Sequence, residues 1–156
     1  MTPQARVQAA IEILDEVIAS VRDDGPPADA IVTRYFKARR YAGSKDRRAV
    51  REWVFRAIRR SGERPASGRA AMIPIAGDLF DGSSHGPAPV ADGEHGAEPR
   101  LLPAWIEAEL SPLVAADEWP DLLERAPLDL RANTARTTRA AMVEQFEGSA
   151  PTDLSP

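Results

Sequence analysis

Arg39, Arg40, Lys45, Arg48, Arg51, Arg56, Arg59 and Arg60 follow one another closely along the chain, and the chemistry open to such a series is the capture of phosphate. A guanidinium presents parallel N–H donors that match two oxygens of one phosphate, and most contacts of this kind position a polyanion without reading its sequence. The eight belong to a larger block. Thirteen of the twenty Lys and Arg residues lie between Arg34 and Arg69, eleven of them Arg, and only Asp46, Glu52 and Glu63 oppose them. The block carries +10 in a chain whose net charge is −4, which leaves −14 for the rest. That asymmetry exceeds what solubility asks of a charged helix face and points to a polyanionic partner, RNA or DNA. The preponderance of Arg over Lys favours planar recognition over diffuse ammonium charge.

Other chemistries are poorly supplied. With no cysteine, the chain has no disulfide, no thiolate nucleophile and no cysteine–zinc site. His85 and His95, with Asp78, Asp81, Asp92 and Glu94, lie in or beside a Gly/Pro-rich stretch and lack helical ligand spacing, so no metal site is expected. Asp23–Asp24 and Glu107–Glu109 read as solvated faces. No run reaches the roughly 18 apolar residues of a membrane span, and the N-terminus lacks a signal-peptide pattern. A soluble cytoplasmic protein with no membrane partner is expected, its 43% hydrophobic residues being enough for a core.

The elements that must position the basic series can be read from periodicity. Thr2-Pro3 reads as a helix start, and Val7, Ala10, Ile11, Leu14, Val17, Ile18 and Val21 give the first helix one apolar face. Gly25-Pro26-Pro27 ends it. A second helix near Ala28 to Arg39 offers Ile31, Val32, Tyr35 and Phe36 to the core. Tyr41 to Ser44 is a turn, with Ser44 placed to cap a third helix from Lys45 to about Arg60. On that helix Val50, Trp53, Val54, Ala57 and Ile58 cluster on one side, and Arg48, Glu52, Arg56, Arg59 and Arg60 fall mostly on the other.

Two residues break the pattern. Arg47 lands beside Val54 and Ile58, which predicts a carboxylate partner from another helix: Asp15, Glu16 or Asp29. Phe55 falls among Arg48, Arg51 and Arg59, and core packing is the preferred reading over stacking on a base. Asp46, in the first turn, complements the helix dipole.

A fourth helix is predicted from Pro65 or Ala66 to Phe80, bent near Pro74. Residues 81–100 form a Gly/Pro-rich flexible loop. Pro103 opens a further helix using Trp105, Ile106, Leu110 and Leu113, and a shorter one around Glu118 to Arg125 uses Trp119, Leu122 and Leu123. All three tryptophans read as core aromatics. Leu128, Leu130 and Ala132 alternate with Asp129 and Arg131 as in a strand, with Asn133 or Thr134 capping the next turn or helix, and Thr137 to Phe146 returns to helix. A single strand cannot satisfy its own backbone hydrogen bonds, so its partners belong to another molecule or lie beyond Pro156. The second is the preferred reading, with the tail from Gly148 disordered when no partner sheet is present.

The run SKDRRAVREWVFRAIRR (Ser44 to Arg60) resembles the signature helix of the NusB-like RNA-binding domain. The run from Leu101 to Phe146 resembles the segment that comes after this domain in the RsmB/NOP/Sun family of 16S ribosomal RNA cytosine-5 methyltransferases. The most specific parts are Asp46-Arg47, Leu102-Pro103 leading to Trp105, and Leu130-Arg131-Ala132-Asn133 followed by Arg136 and Thr137. The resemblance implies a mainly α chain: a NusB-like bundle over 1–80, the loop over 81–100, a helical connector over 101–126, and an incomplete α+β piece of one strand and one helix over 127–156. It also implies an RNA grip, with 16S rRNA as partner and the eight cations of the basic series as phosphate contacts, or alternatively docking of the basic helix on the parent's own catalytic domain.

Members of that family bind S-adenosylmethionine through a glycine-rich loop and form a covalent adduct through one cysteine, releasing product with a second. This chain has neither the loop nor a cysteine, so it is expected to hold no cofactor, to have no catalytic residue and to be inactive alone. Two rival readings are a stand-alone NusB-type transcription antitermination factor and a helical module that docks an acidic protein.

Overall fold

The computed structural model describes residues 1–124 and 128–152, in two compact units, Met1–Glu124 and Arg125–Pro156. It is mainly helical, and the first unit is a four-helix bundle built around its N-terminal helix.

Helix α1 (Pro3–Arg22) begins at Thr2, whose hydroxyl accepts from the Ala5 N–H at 3.1 Å. It buries Val7, Ala9, Ala10, Ile11, Ile13, Leu14 and Val17, an arc wider than one stripe. That width is what a central helix needs, since α1 packs on α2 (Ala28–Ala38), α3 (Ser44–Arg60) and α4 (Gly68–Ala76). It ends where Asp24 turns left-handed (φ 50°) and the Gly25 N–H reaches back to the Ser20 carbonyl at 2.7 Å. The largest fully buried side chains are Ile13, Ile31, Met72, Val7, Val50 and Val54. Burial of one such residue stabilises by about 1.5–3 kcal/mol. Gly68 sets the approach of α4 to α1: a Cβ there would lie 2.2 Å from the Ile11 carbonyl oxygen. Its N–H donates to Asp15 at 2.7 Å.

Helix α4 is shorter than the sequence predicts. It contains Pro74 and gives way after Ala76 to a 3-10 turn, Gly77–Leu79. Residues 81–100 have no regular structure but hold specific contacts. Arg69 donates to Glu94 at 2.6 and 2.9 Å and to the Ala88 and Pro89 carbonyls at 3.0 Å, while its guanidinium lies 4.8 Å from the Phe80 ring centre. The Ala97 N–H meets the Ala70 carbonyl at 2.8 Å, and the Arg100 N–H meets the Arg60 carbonyl at 3.0 Å.

The connector departs from the expected helices. Only α5 (Ala104–Glu107), a 3-10 turn (Ala116–Glu118) and α6 (Trp119–Leu123) form among the described residues; Arg125, the predicted end of the last helix, lies outside them. Leu102 is buried, but Trp105 is 70% exposed and Leu113 91%, so neither is a core residue. Trp53 does pack against the core. Prolines at 103, 112 and 120 each remove a donor, which keeps helices here to about a turn.

In the second unit the predicted strand is not formed. Residues 128–132 make no ladder among the described residues, and Leu128 and Leu130 are exposed. Alternation yields a strand only where a neighbouring strand supplies hydrogen bonds, and none is present among the described residues of this unit. Asn133 closes a turn instead, its side-chain oxygen accepting from the Ala135 N–H at 3.1 Å. Helix α7 (Arg139–Gln145) comes next, with the Thr138 hydroxyl accepting from Ala141 at 3.2 Å. Of the tail predicted to be disordered, 153–156 lie outside the described residues.

Candidate nucleic-acid interface

Helix α3 can present the basic series because its core face is narrow. Val50, Val54 and Ala57 are buried within an arc of about 60°, which leaves the opposite half of the helix to solvent. Lys45, Arg48, Arg51, Arg56 and Arg60 are exposed there, and Arg40 is exposed in the turn between α2 and α3.

Six of the eight sequence-predicted cations, namely Arg40, Lys45, Arg48, Arg51, Arg56 and Arg60, make no ion pair among the described residues. The other two are tied to the fold. Arg39 meets Glu12 at 3.2 Å and lies 3.6 Å over the Tyr35 ring; Arg59 meets Glu52 at 3.2 Å. The buried Tyr35 hydroxyl donates to the same Glu12 at 2.6 Å, and burial followed by that carboxylate pushes its pKa well above the ordinary value. Arg39 is therefore tied into the α1–α2 contact.

Arg51 and Arg56 rest on aromatic faces, 5.4 Å from Phe55 and 5.6 Å from Trp53. Stacking of this kind holds the guanidinium plane while leaving its edge N–H donors for phosphate oxygens. Phe55 is half-buried with Arg51 over it.

The N-terminus of α3 is fixed differently from the sequence expectation. The cap position is Gly43, with Ser44 the first helical residue and no side-chain cap. Asp46 accepts from Arg6 at 2.9 Å and from the N-terminal ammonium at 3.2 Å. The Arg6 hydrogen bond leads in holding its carboxyl below the usual range. Arg47 finds no carboxylate among the described residues: its Nε donates to the Ala42 carbonyl at 2.7 Å and its guanidinium sits 5.8 Å from the Phe36 ring. Two of the acids expected to hold it are engaged elsewhere, Asp15 with the Gly68 N–H and Glu16 with Arg34.

Arg56, Arg59 and Arg60 also line a groove of about 600 Å³ with Glu52, Arg100 and Leu101. Sequence reasoning missed Arg100. It enters because the chain after the loop returns beside α3 in a parallel bridge of Ser61 with Arg100, a tertiary pairing with no local signature. Arg100 is itself paired with Glu107 at 3.2 Å, so Arg56 and Arg60 are the groove's unpaired cations among the described residues.

Among the described residues no group of three or more His, Asp or Glu side chains could hold a metal ion, and no helix is long and apolar enough to cross a membrane. The left-handed glycines Gly82, Gly93 and Gly148 lie in irregular segments. Comparison with models of protein families, with curated proteins and with solved structures found no match.

Proposed function

We propose that this chain is an RNA-binding helical domain that grips the phosphate backbone along the solvent half of α3. The observation that carries the reading is the set of six cations without carboxylate partners among the described residues, gathered on α3 and the turn before it, in a chain that is acidic elsewhere. Polyanion binding gives those uncompensated charges a partner.

Through the resemblance to the RsmB/NOP/Sun family, the RNA is 16S rRNA in the cytoplasm. The domain would orient it for methylation of a cytosine at carbon-5 by an S-adenosylmethionine-dependent catalytic domain outside these 156 residues. The nucleophilic thiolate that this chemistry needs would come from there, since this chain has no cysteine.

Fluorescence anisotropy with labelled RNA tests the grip. Binding at low salt should weaken steeply as salt rises, and RNA should displace the probe better than an acidic protein does. No binding at low salt, or preference for the acidic protein, overturns it. Cross-linking in cells tests the finer reading, which fails if 16S rRNA is not enriched over other RNAs.

A further inference from the structure

Tyr41 is 75% exposed, and nothing in the bundle explains an aromatic residue there. It sits at the tip of a tight turn in which the Ala42 N–H donates to the Arg39 carbonyl at 3.1 Å, so that Arg40 and Tyr41 are its two central residues. Both ends of this turn are anchored. Arg39 is fixed by Glu12 and the Tyr35 ring. Ala42 is buried, and its carbonyl takes the Arg47 Nε–H at 2.7 Å. The turn therefore displays Arg40 and Tyr41 from a frame tied to α1, α2 and α3.

Cations without a carboxylate partner among the described residues flank the ring along the chain: Lys37 and Arg40 before it, Lys45 and Arg48 after it. No other aromatic among the described residues combines these features. Trp53 and Phe55 are half-buried with arginines over their faces. Trp105 is exposed, but it neighbours Glu107 and Glu109.

We infer that Tyr41 is a stacking platform for one unpaired nucleobase, with Arg40 and Lys45 taking the phosphates on either side, so that the RNA is bound as a single strand. Aromatic rings hold bases of single strands in this way, whereas paired bases keep their faces inside the helix stack. A turn whose backbone is already held in place loses little freedom on binding. The inference rests on the RNA-binding reading and narrows its substrate.

The test compares a labelled single-stranded RNA with a duplex of the same sequence at fixed salt, using the full chain, Tyr41→Ala and Tyr41→Phe. For Tyr41→Ala, single-strand affinity should fall about 5- to 150-fold. Duplex affinity should change less than about twofold, and the salt dependence should stay that of the parent, because no phosphate contact is removed. Tyr41→Phe should retain single-strand binding. An unchanged single-strand affinity in Tyr41→Ala, an equal loss on duplex, or an equal loss in Tyr41→Phe overturns the stacking site. Since the ring is exposed, the variants should melt like the parent. Failure of the parent itself to bind either RNA would sink the RNA reading, a result distinct from the failure of Tyr41.

Discussion

Replacement of Arg48, Arg51 and Arg56 together by Gln separates a phosphate grip from a merely charged surface. Gln keeps the helix propensity of α3, and none of the three contributes to the buried face of Val50, Val54 and Ala57. If all six unpaired cations neutralise phosphates of a single strand, log K should fall with log[salt] at a slope of about −4, a loss of about 300-fold between 50 and 200 mM salt. The triple variant keeps three contacts, so its slope should be about −2 and its loss over the same range about 20-fold. The control is Arg39→Gln with Arg59→Gln, which removes charges already matched by Glu12 and Glu52. Its slope should stay within about one unit of the parent's, since exchange of an internal partner for phosphate brings little gain. Anisotropy titrations at four or five salt concentrations measure all three slopes. Equal slopes for the parent and the triple variant, or a control that loses as much as the triple variant, would show that pairing does not distinguish functional cations here.

Two further predictions concern the scaffold that presents α3. Gly68→Val should destabilise the bundle by about 3 kcal/mol or more, because its Cβ would meet the Ile11 carbonyl oxygen at 2.2 Å and the Asp15 nitrogen at 2.9 Å; a urea midpoint close to the parent's refutes that close approach. Glu94 gives a pH dependence with a definite sign. The Arg69 hydrogen bond, followed by the Ala91 N–H, lowers its pKa from the ordinary 4.5 to about 2. The unfolded chain therefore takes up the proton first. The contribution is fully present above pH 4.5 and lost as pH falls towards 2, loosening the 81–100 segment from α4. Hydrogen exchange in that segment should rise over this window in the parent and be raised already at neutral pH in Glu94→Gln. An identical acid profile in both would remove the pin.

The helices that present the basic series were legible because each has a buried apolar face and clear punctuation. Thr2-Pro3 opens α1, Gly25-Pro26-Pro27 separates it from α2, and the Val50–Val54–Ala57 face fixes the rotation of α3. What could not be read depends on partners distant in the chain. Arg47 looked like half of an ion pair because a wheel records direction but not what waits there, and its partners are a backbone carbonyl and a ring. Arg39 and Arg40 are adjacent in sequence and identical in type, yet one is held by Glu12 from twenty-seven residues away and the other is not. Composition counts them alike.

The same distinction explains the misread segments. Leu128 and Leu130 alternate like strand residues, but alternation states only which faces differ, and the ladder needs a neighbour that the described residues of this unit do not provide. Trp105 comes just after a proline like a helical core residue, but a helix of one turn, Ala104–Glu107, has no second turn to carry an apolar stripe. For the candidate site the consequence is specific. Charge count locates the basic region, and the fold separates its paired charges from its unpaired ones among the described residues. Removing an unpaired cation should change the salt response of binding, whereas removing a paired one should change chiefly the stability of the bundle.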